Sequence, residues 1–526
     1  MVSLLLLTYR LDGTPFRGLY DDVDRSLIAR NMVDSGDWLV ARYLYGPLYT
    51  KPPLMYWTAA VLGVLTGRSD ELPGNLASVL GMFPVILATF WAGRNLFGTR
   101  TGLWAGLILV TMHLFLAMGR QALLDTVMMG GFALTFGALV HLGFSGTRHR
   151  TTWWLVVALG LAISFMTKGP VILPVFLLVW LPMCRGNSQL RPGWRQVLPA
   201  VALILLIILP WPILLLNSSP EALTVWKSEL FGRFGDGQQF HQWTQKPVWF
   251  YLPDLVNTLP WFLMLPWAIV AAFRERQDAR FKLLLWWGVG GLVFFSLASA
   301  TKRSYYLLPL YPAFALLIAG AWSRFVRRWN DDSPVPRQSR LVPLLTLLLL
   351  VGILGLVSIV PNIIFPHVAA TPFIPCGIFT TMSAAMGVRA FQRKEWNRAL
   401  AMAVCGTALV HMAYFGHFVP VANDYYSGKS FFAEAVPLIG EEEVVIVDVP
   451  LSISVFYLHG IPWQHRKTDG LADFLRKRPG VLVITRPGTA HRFPGLEPLL
   501  EREFSEPFGK KRGLGLYRIP PASPAA

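Results

Sequence analysis

The stretch YDDVDRSLIARNMVDSGDWLVARYLYGPLYTKPPLMYW, residues 20–57, follows a short apolar start and precedes a chain that is mostly lipid-soluble. It opens on Asp21 and Asp22 and closes on the rigid turn Thr50-Lys51-Pro52-Pro53. Leu27, Ile28, Met32 and Val33 recur at helical spacing. The segment after the acids is therefore predicted to be a helix lying in the interface plane, apolar side down. Its first turn would hold both acids at the water–lipid boundary. Acids and a lysine beside so much apolar chain are costly unless they carry a function or find partners.

Composition fixes the class. The chain has 526 residues, 54% hydrophobic and only 15% charged, where a soluble protein of this size has roughly 25% charged residues. The net charge of +17 does not point to nucleic acid, because the basic residues cluster in short loops between apolar segments. Cys184, Cys376 and Cys405 lie far apart in or beside apolar segments and form neither a metal spacing nor a disulfide frame.

Apolar segments of about membrane-spanning length are read at 75–98, 101–118, 122–143, 152–167, 169–184, 197–217, 249–273, 281–299, 304–322, 341–360, 374–390 and 399–417. Met1–Thr8 resembles the end of a first, truncated helix, giving about thirteen spans. If the spans alternate, five arginine-rich loops share one side: Arg148 to Arg150, Arg185 to Arg195, Arg274 to Lys282, Arg324 to Arg340 and Arg389 to Arg398. That side is expected to be cytoplasmic. The first loop, about 9–74, the loop 218–248 and the chain after 418 then share the outer face.

The tail changes character. EEEVVIVDVP (441–450), GVLVITRP (480–487) and LGLYRI (514–519) are predicted as strands, with LSISVFYLHG and DGLADFLRKR as helices. The fold expected is an α-helical polytopic membrane body over 1–420 with a small outer α/β domain over 421–526.

Several polar groups open or close spans on the outer side. Asp125 heads an apolar helix after Gly119-Arg120-Gln121, Lys168 sits in the turn Thr167-Lys168-Gly169-Pro170, and Lys302-Arg303-Ser304-Tyr305-Tyr306 starts another helix. His241 lies in the loop FGRFGDGQQFHQWTQKPVWFY. Separate outer ends offering acids, bases and phenols suggest one shared cavity. Lys51 before two prolines suits a phosphate as a compact charge. Each also has a plainer role open to it: helix-start acid, snorkelling lysine, interface anchor or core histidine.

As a set, these residues resemble the GT-C membrane glycosyltransferases, in the branch shared by bacterial aminoarabinose–lipid A transferases and protein O-mannosyltransferase-like enzymes. The run from Asp21-Asp22 through IAR, SGDW and KPPL is similar to the family's first outer loop. GRQALLD (119–125), MTKGPV (166–171), FGRF…KPVWFYLP (231–253) and FFSLASATKRSYYLLPLYP (294–312) are similar to its later motifs. The family usually has Asp-Glu at Asp21-Asp22 and Glu-Lys-Pro at Thr50-Lys51-Pro52.

The resemblance implies a polyprenyl-phosphate sugar donor, a lipid A-like lipid or protein hydroxyl as acceptor, and transfer on the periplasmic face of the bacterial inner membrane. It implies that Asp22 or Asp21 orients or deprotonates the acceptor; Asp125 is a third candidate catalytic acid. Lys51, Lys302 or Arg303 would neutralise the departing lipid phosphate. Arg120, Lys168, His241, Tyr305 and Tyr306 complete the candidate binding set. An acid pair can hold a divalent metal ion, but no ligand spacing commits to one. The alternatives are a polysaccharide or O-antigen ligase and a secondary transporter. The transporter predicts two related halves, which the sequence does not display.

Overall fold

The computed structural model describes the chain apart from residues 13, 17–20, 232–245, 299–301, 331–336, 365–372, 479, 494, 506–510 and 520–526. The helical body comprises α1 (Val2–Thr8), α2 (Asp22–Ser35), α3 (Leu54–Thr66), α4 (Leu72–Phe97), α5 (Thr99–Val110), α6 (His113–Met118), α7 (Leu124–Phe144), α8 (Arg150–Lys168), α9 (Ile172–Gly186), α10 (Trp194–Ile208) and α11 (Pro210–Ser218). It continues through α12 (Ala222–Phe231), α13 (Tyr251–Asp254), α14 (Met264–Arg274), α15 (Ala279–Leu285), α16 (Gly291–Ala298), α17 (Tyr311–Asn330), α18 (Arg337–Ile364), α19 (Phe373–Gln392), α20 (Trp396–Ala413) and α21 (Val419–Ser427). A two-residue hairpin, β1 (Arg42–Tyr43) with β2 (Gly46–Pro47), joins α2 to α3.

Among the described residues, seven helical stretches are long and apolar enough to cross a membrane. One, Arg150–Arg185, folds back at Gly169 (φ 73°), so that Trp154 near the start of α8 meets Trp180 near the end of α9. The predicted spans 152–167 and 169–184 are its two legs. The stretch Ser304–Asn330 is 89% buried and forms the centre of the bundle, whereas Trp194–Ser218 is 6% buried and lies on its rim. A helix apolar all round and wrapped by others is a core span; one wrapped by nothing faces lipid.

Two expected spans are broken. Residues 101–118 divide at Thr111–Met112, where the Thr111 hydroxyl accepts from the Trp261 indole at 3.0 Å. Residues 249–273 become short helical turns as far as Thr258, and regular α-helix resumes only at Met264. Pro253 and Pro260 each remove a backbone donor, which ends a helix despite the apolar run.

Close helix approach sets the site. A Cβ on Gly131 of α7 would stand 2.5 Å from the Gly160 carbonyl of α8, and one on Gly160 would stand 2.4 Å from that of Gly131. Small residues are what let membrane helices touch backbone to backbone. Ser164 adds a hydrogen bond to the Met128 carbonyl at 3.0 Å. Since α7 and α8 run antiparallel, this contact brings the start of α7 beside the end of α8. Gly131→Val is expected to lower stability by about 1–3 kcal/mol, the usual cost of overpacking, and transfer activity with it. The loss would be read from the thermal unfolding of the detergent-purified protein against wild type.

The C-terminal elements are α22 (Lys429–Ile439), β3 (Val444–Val447), α23 (Leu451–Tyr457), β4 (Trp463–Arg466), α24 (Leu471–Arg476), β5 (Leu482–Thr485), α25 (Pro487–Ala490), β6 (Glu497–Ser505) and β7 (Lys511–Arg518). The sheet order is β4-β3-β5-β7-β6, parallel among β4, β3 and β5, antiparallel at β7. All three predicted strands are present. The two that were not predicted, β4 and β6, form the sheet edges, where exposure removes the unbroken apolar run that marks β3 and β5.

The expected position of α2 is corrected. Its apolar face is covered by protein rather than lipid. Val23 and Leu27 join the C-terminal core with Phe16 and Phe456, while Ile28, Ala29 and Met32 pack on Met55, Tyr56 and Ala77. Arg30 donates to the carbonyls of Phe456 (2.6 Å) and Val455 (3.3 Å). A second tie is Glu71, only 1% exposed, which accepts from Lys429 at 2.8 Å and from the Tyr457 hydroxyl at 2.7 Å. Lys429→Met leaves that buried carboxylate short of its cation. It is expected to make the C-terminal domain a target of limited proteolysis at protease levels that leave wild type intact.

Candidate active site

Asp21 is the residue ahead of α2, and its side chain is not used as a cap. One carboxylate oxygen accepts from Arg25, one turn on, at 2.8 Å, and the other lies 3.8 Å from Arg303. Arg25 also donates to the Tyr56 hydroxyl on α3 at 3.1 Å. Arg303 donates to the Tyr305 hydroxyl at 2.9 Å. Burial disfavours the Arg303 charge, but neighbouring Tyr305 and Asp21 more than offset this and raise its pKa.

The second half of the site comes from the α7–α8 contact. Lys168 reaches Asp125 at 2.5 Å, with both side chains largely buried at 15% and 9% exposure. Its ammonium stands over the Tyr306 ring at 4.6 Å and the Tyr305 ring at 5.9 Å, a cation–π arrangement. Asp125, Lys168, Tyr305, Tyr306, Arg303 and Asp21 thus form one connected polar surface at a single end of the bundle. Lys51 is half-buried and lies three residues before α3, the helix whose Tyr56 meets Arg25.

The remaining candidates are placed differently. Asp22 is 1% exposed and its carboxylate turns to the Val23 amide at 3.0 Å. Lys302 is buried and donates to the Lys246 carbonyl at 3.3 Å. Arg120 sits deeper and donates to the carbonyls of Leu6 and Leu7 at 3.0 Å and of Tyr9 at 2.7 Å, closing the end of α1. His241 lies outside the described residues. Among the described residues, no group of three or more His, Cys, Asp or Glu side chains converges as a metal site.

Sequence reasoning missed several members. Arg25 was visible as a base four residues after an acid, the spacing that pairs on a helix. Tyr56 carried no signal beyond its place after Lys51. Asp24 accepts from the Tyr43 hydroxyl at 2.8 Å; burial pushes its carboxyl up and Tyr43 pulls it partly back. Asp254 accepts from Ser304 and Asn257, both at 2.7 Å, and steadies the turn after Arg303.

This arrangement can bind an anionic, lipid-borne leaving group. Arg303 supplies a fork, Lys168 supplies a compact charge, and Asp21 beside Arg303 keeps 42% of its side chain exposed. Preorganised charge of this kind contributes most where charge develops in a reaction.

The chain is similar to several known proteins. The sequence profile of the family described as dolichyl-phosphate-mannose-protein mannosyltransferase matches residues 50–213. The undecaprenyl phosphate-alpha-4-amino-4-deoxy-L-arabinose arabinosyl transferase of Pectobacterium atrosepticum is 28% identical over 89% of this chain and 83% of its own length. A protein of the same description from Sodalis glossinidius, numbered 1, is 33% identical over 57% of this chain and 54% of its own. Among solved structures, ArnT from Cupriavidus metallidurans bound to undecaprenyl phosphate superposes with TM-score 0.75 at 18% identity, covering 98% of this chain and 96% of that one. The Archaeoglobus fulgidus oligosaccharyltransferase in the apo form gives 0.52 at 10% identity, over 92% and 68%.

Proposed function

We propose that this chain, a membrane glycosyltransferase of the GT-C type with a multi-pass body in the bacterial inner membrane, transfers a sugar from a polyprenyl-phosphate donor to a lipid A-like lipid or a protein hydroxyl on the periplasmic face. The observation that carries this reading is Asp21 standing 3.8 Å from Arg303 in the surface that also holds Lys168, Asp125 and two tyrosines. The names of the arabinosyl transferase relatives support undecaprenyl phosphate as the carrier and 4-amino-4-deoxy-L-arabinose as the sugar.

In this reading the bond between the sugar's anomeric carbon and the carrier phosphate breaks as the acceptor oxygen bonds to that carbon. Arg303 and Lys51 neutralise the carrier phosphate as it leaves with both electrons. A hydroxyl acceptor gives its proton to Asp21; a phosphate acceptor needs only orientation by it. Lys168, fixed by Asp125, holds the tyrosine face against which the sugar lies. The C-terminal domain clamps α2 and so holds Asp21 in place.

Mass spectrometry of lipid A, envelope proteins and polyprenyl-phosphate sugars in a deletion strain tests the reading. The donor lipid should accumulate and one acceptor should lose the mass of one sugar. Unchanged lipid A, protein glycans and donor pools would contradict it.

Lys51 separates donor binding from acceptor activation. A charge-assisted contact to phosphate contributes about 1.5–3 kcal/mol, so Lys51→Ala should weaken donor-lipid binding about tenfold or more. Lys51→Arg should restore it in part, since a planar fork does not replace a compact charge. Donor affinity measured in nanodiscs decides this, and an unchanged value would move the role to Arg303 or Lys302.

A further inference from the structure

The far end of α17 holds a second site. This helix starts beside the tyrosines and runs 20 residues to Asn330, about 30 Å at the helical rise, which is one hydrocarbon thickness. At its far end a cavity of about 330 Å³ opens between α14, α17 and α18. Trp267, Val270 and Val342 give it apolar walls, and Arg274, Arg324 and Arg328 stand at its rim. Val270 and Phe273 on α14 are 48% and 46% exposed, an outward apolar surface that belongs in lipid.

The arginines are held in place. Arg328 pairs with Glu275 at 2.5 Å, and Arg324 with Glu275 at 3.4 Å and Asp278 at 3.1 Å. Arg280 also draws on Asp278, at 2.5 Å. Arg274 lines the same cavity and takes no carboxylate partner among the described residues. Among the described residues, two carboxylates therefore face four arginines, which leaves positive charge over at the mouth. An apolar slot with a cationic rim, open to the membrane, matches an amphiphile with an anionic head. It does not match a soluble anion, which would leave the walls wet, or a zwitterionic lipid, whose ammonium would meet arginine.

We propose that this cavity binds one anionic phospholipid from the cytoplasmic leaflet, its headgroup phosphate against Arg274 and Arg328 and an acyl chain between α14 and α18. Basic pockets between membrane helices on the arginine-rich side recognise such headgroups. The lipid wedges α14 against α17 and so steadies the central helix whose other end carries the tyrosines.

The test is native mass spectrometry of the full-length protein titrated with phosphatidylglycerol or with phosphatidylcholine of the same chains. Phosphatidylglycerol should bind at one tight site and phosphatidylcholine should not. At about fivefold per arginine, Arg274→Gln should weaken binding roughly fivefold and Arg274→Gln/Arg328→Gln roughly thirtyfold. Arg195→Gln, in the first turn of α10 and away from this cavity, should leave it unchanged. Equal binding of the two lipids, or wild-type affinity in Arg274→Gln, would overturn the proposal. Because Arg274 supports no carboxylate, that single variant keeps the test valid should the double variant fail to fold.

Discussion

Asp21→Asn is expected to reduce sugar transfer at least about a hundredfold, the usual contribution of a positioned acid–base or charge-stabilising group, while the protein folds as wild type. The side chain is 42% exposed and so is much of its partner Arg303, where ion pairs contribute little to stability; Arg25, 12% exposed, keeps an acceptor in the asparagine amide oxygen. Asp22→Asn should behave oppositely. That residue is 1% exposed and its carboxylate accepts from the Val23 amide, so its loss should show first in the unfolding temperature and expression level. Turnover of both purified variants at equal folded concentration separates the two. Full activity in Asp21→Asn alongside a dead but stable Asp22→Asn would reverse the assignment of the two acids.

The second large effect is at Asp125 and Lys168. Removing one partner of a buried ion pair leaves a charge without compensation, which costs about 3–5 kcal/mol. Asp125→Asn should therefore lose stability as well as transfer. Lys168→Met should do the same, and it also empties the cation position above Tyr306. The double variant Asp125→Leu/Lys168→Met removes both charges together and should regain much of the stability. It should not regain transfer if the pair faces substrate. A double variant that is both stable and active would show the pair to be a helix–helix tie only.

Much of the body was legible because lipid imposes a simple rule: long apolar runs become helices, and their polar ends meet water. The runs at 75–98 and 122–143 became α4 and α7, and the charged turn at Lys168 did reverse the chain. The proline pair Pro253 and Pro260 was visible too, but the apolar run hid its effect on backbone hydrogen bonding.

What stayed hidden depends on contacts far apart in sequence. Nothing within residues 22–35 says that Val23 and Leu27 will be covered by Phe456. A face buried in protein and a face buried in lipid show the same periodicity. The same limit applied to the two adjacent acids. That the Asp21 side chain stays 42% exposed while Asp22 is 1% exposed shows only in the packed structure. Arg120 reads in sequence as a polar group at an outer helix end, within reach of Asp125; in the structure it donates to the carbonyls of Leu6, Leu7 and Tyr9. Asp21, Asp125, Lys168, Arg303, Tyr305 and Tyr306, though scattered over 21–306, meet at one end of the bundle, which no single stretch of sequence displays.

The measurement that most directly tests the central claim is a single-turnover assay in nanodiscs with undecaprenyl phosphate 4-amino-4-deoxy-L-arabinose and lipid A, wild type beside Asp21→Asn, with products resolved by mass. Wild type should convert lipid A to the species heavier by one sugar and release undecaprenyl phosphate in equal amount, while Asp21→Asn binds the donor but forms product at least about a hundredfold more slowly. Donor consumption and product formation at wild-type rate by Asp21→Asn would contradict the placement of the chemistry at this cleft.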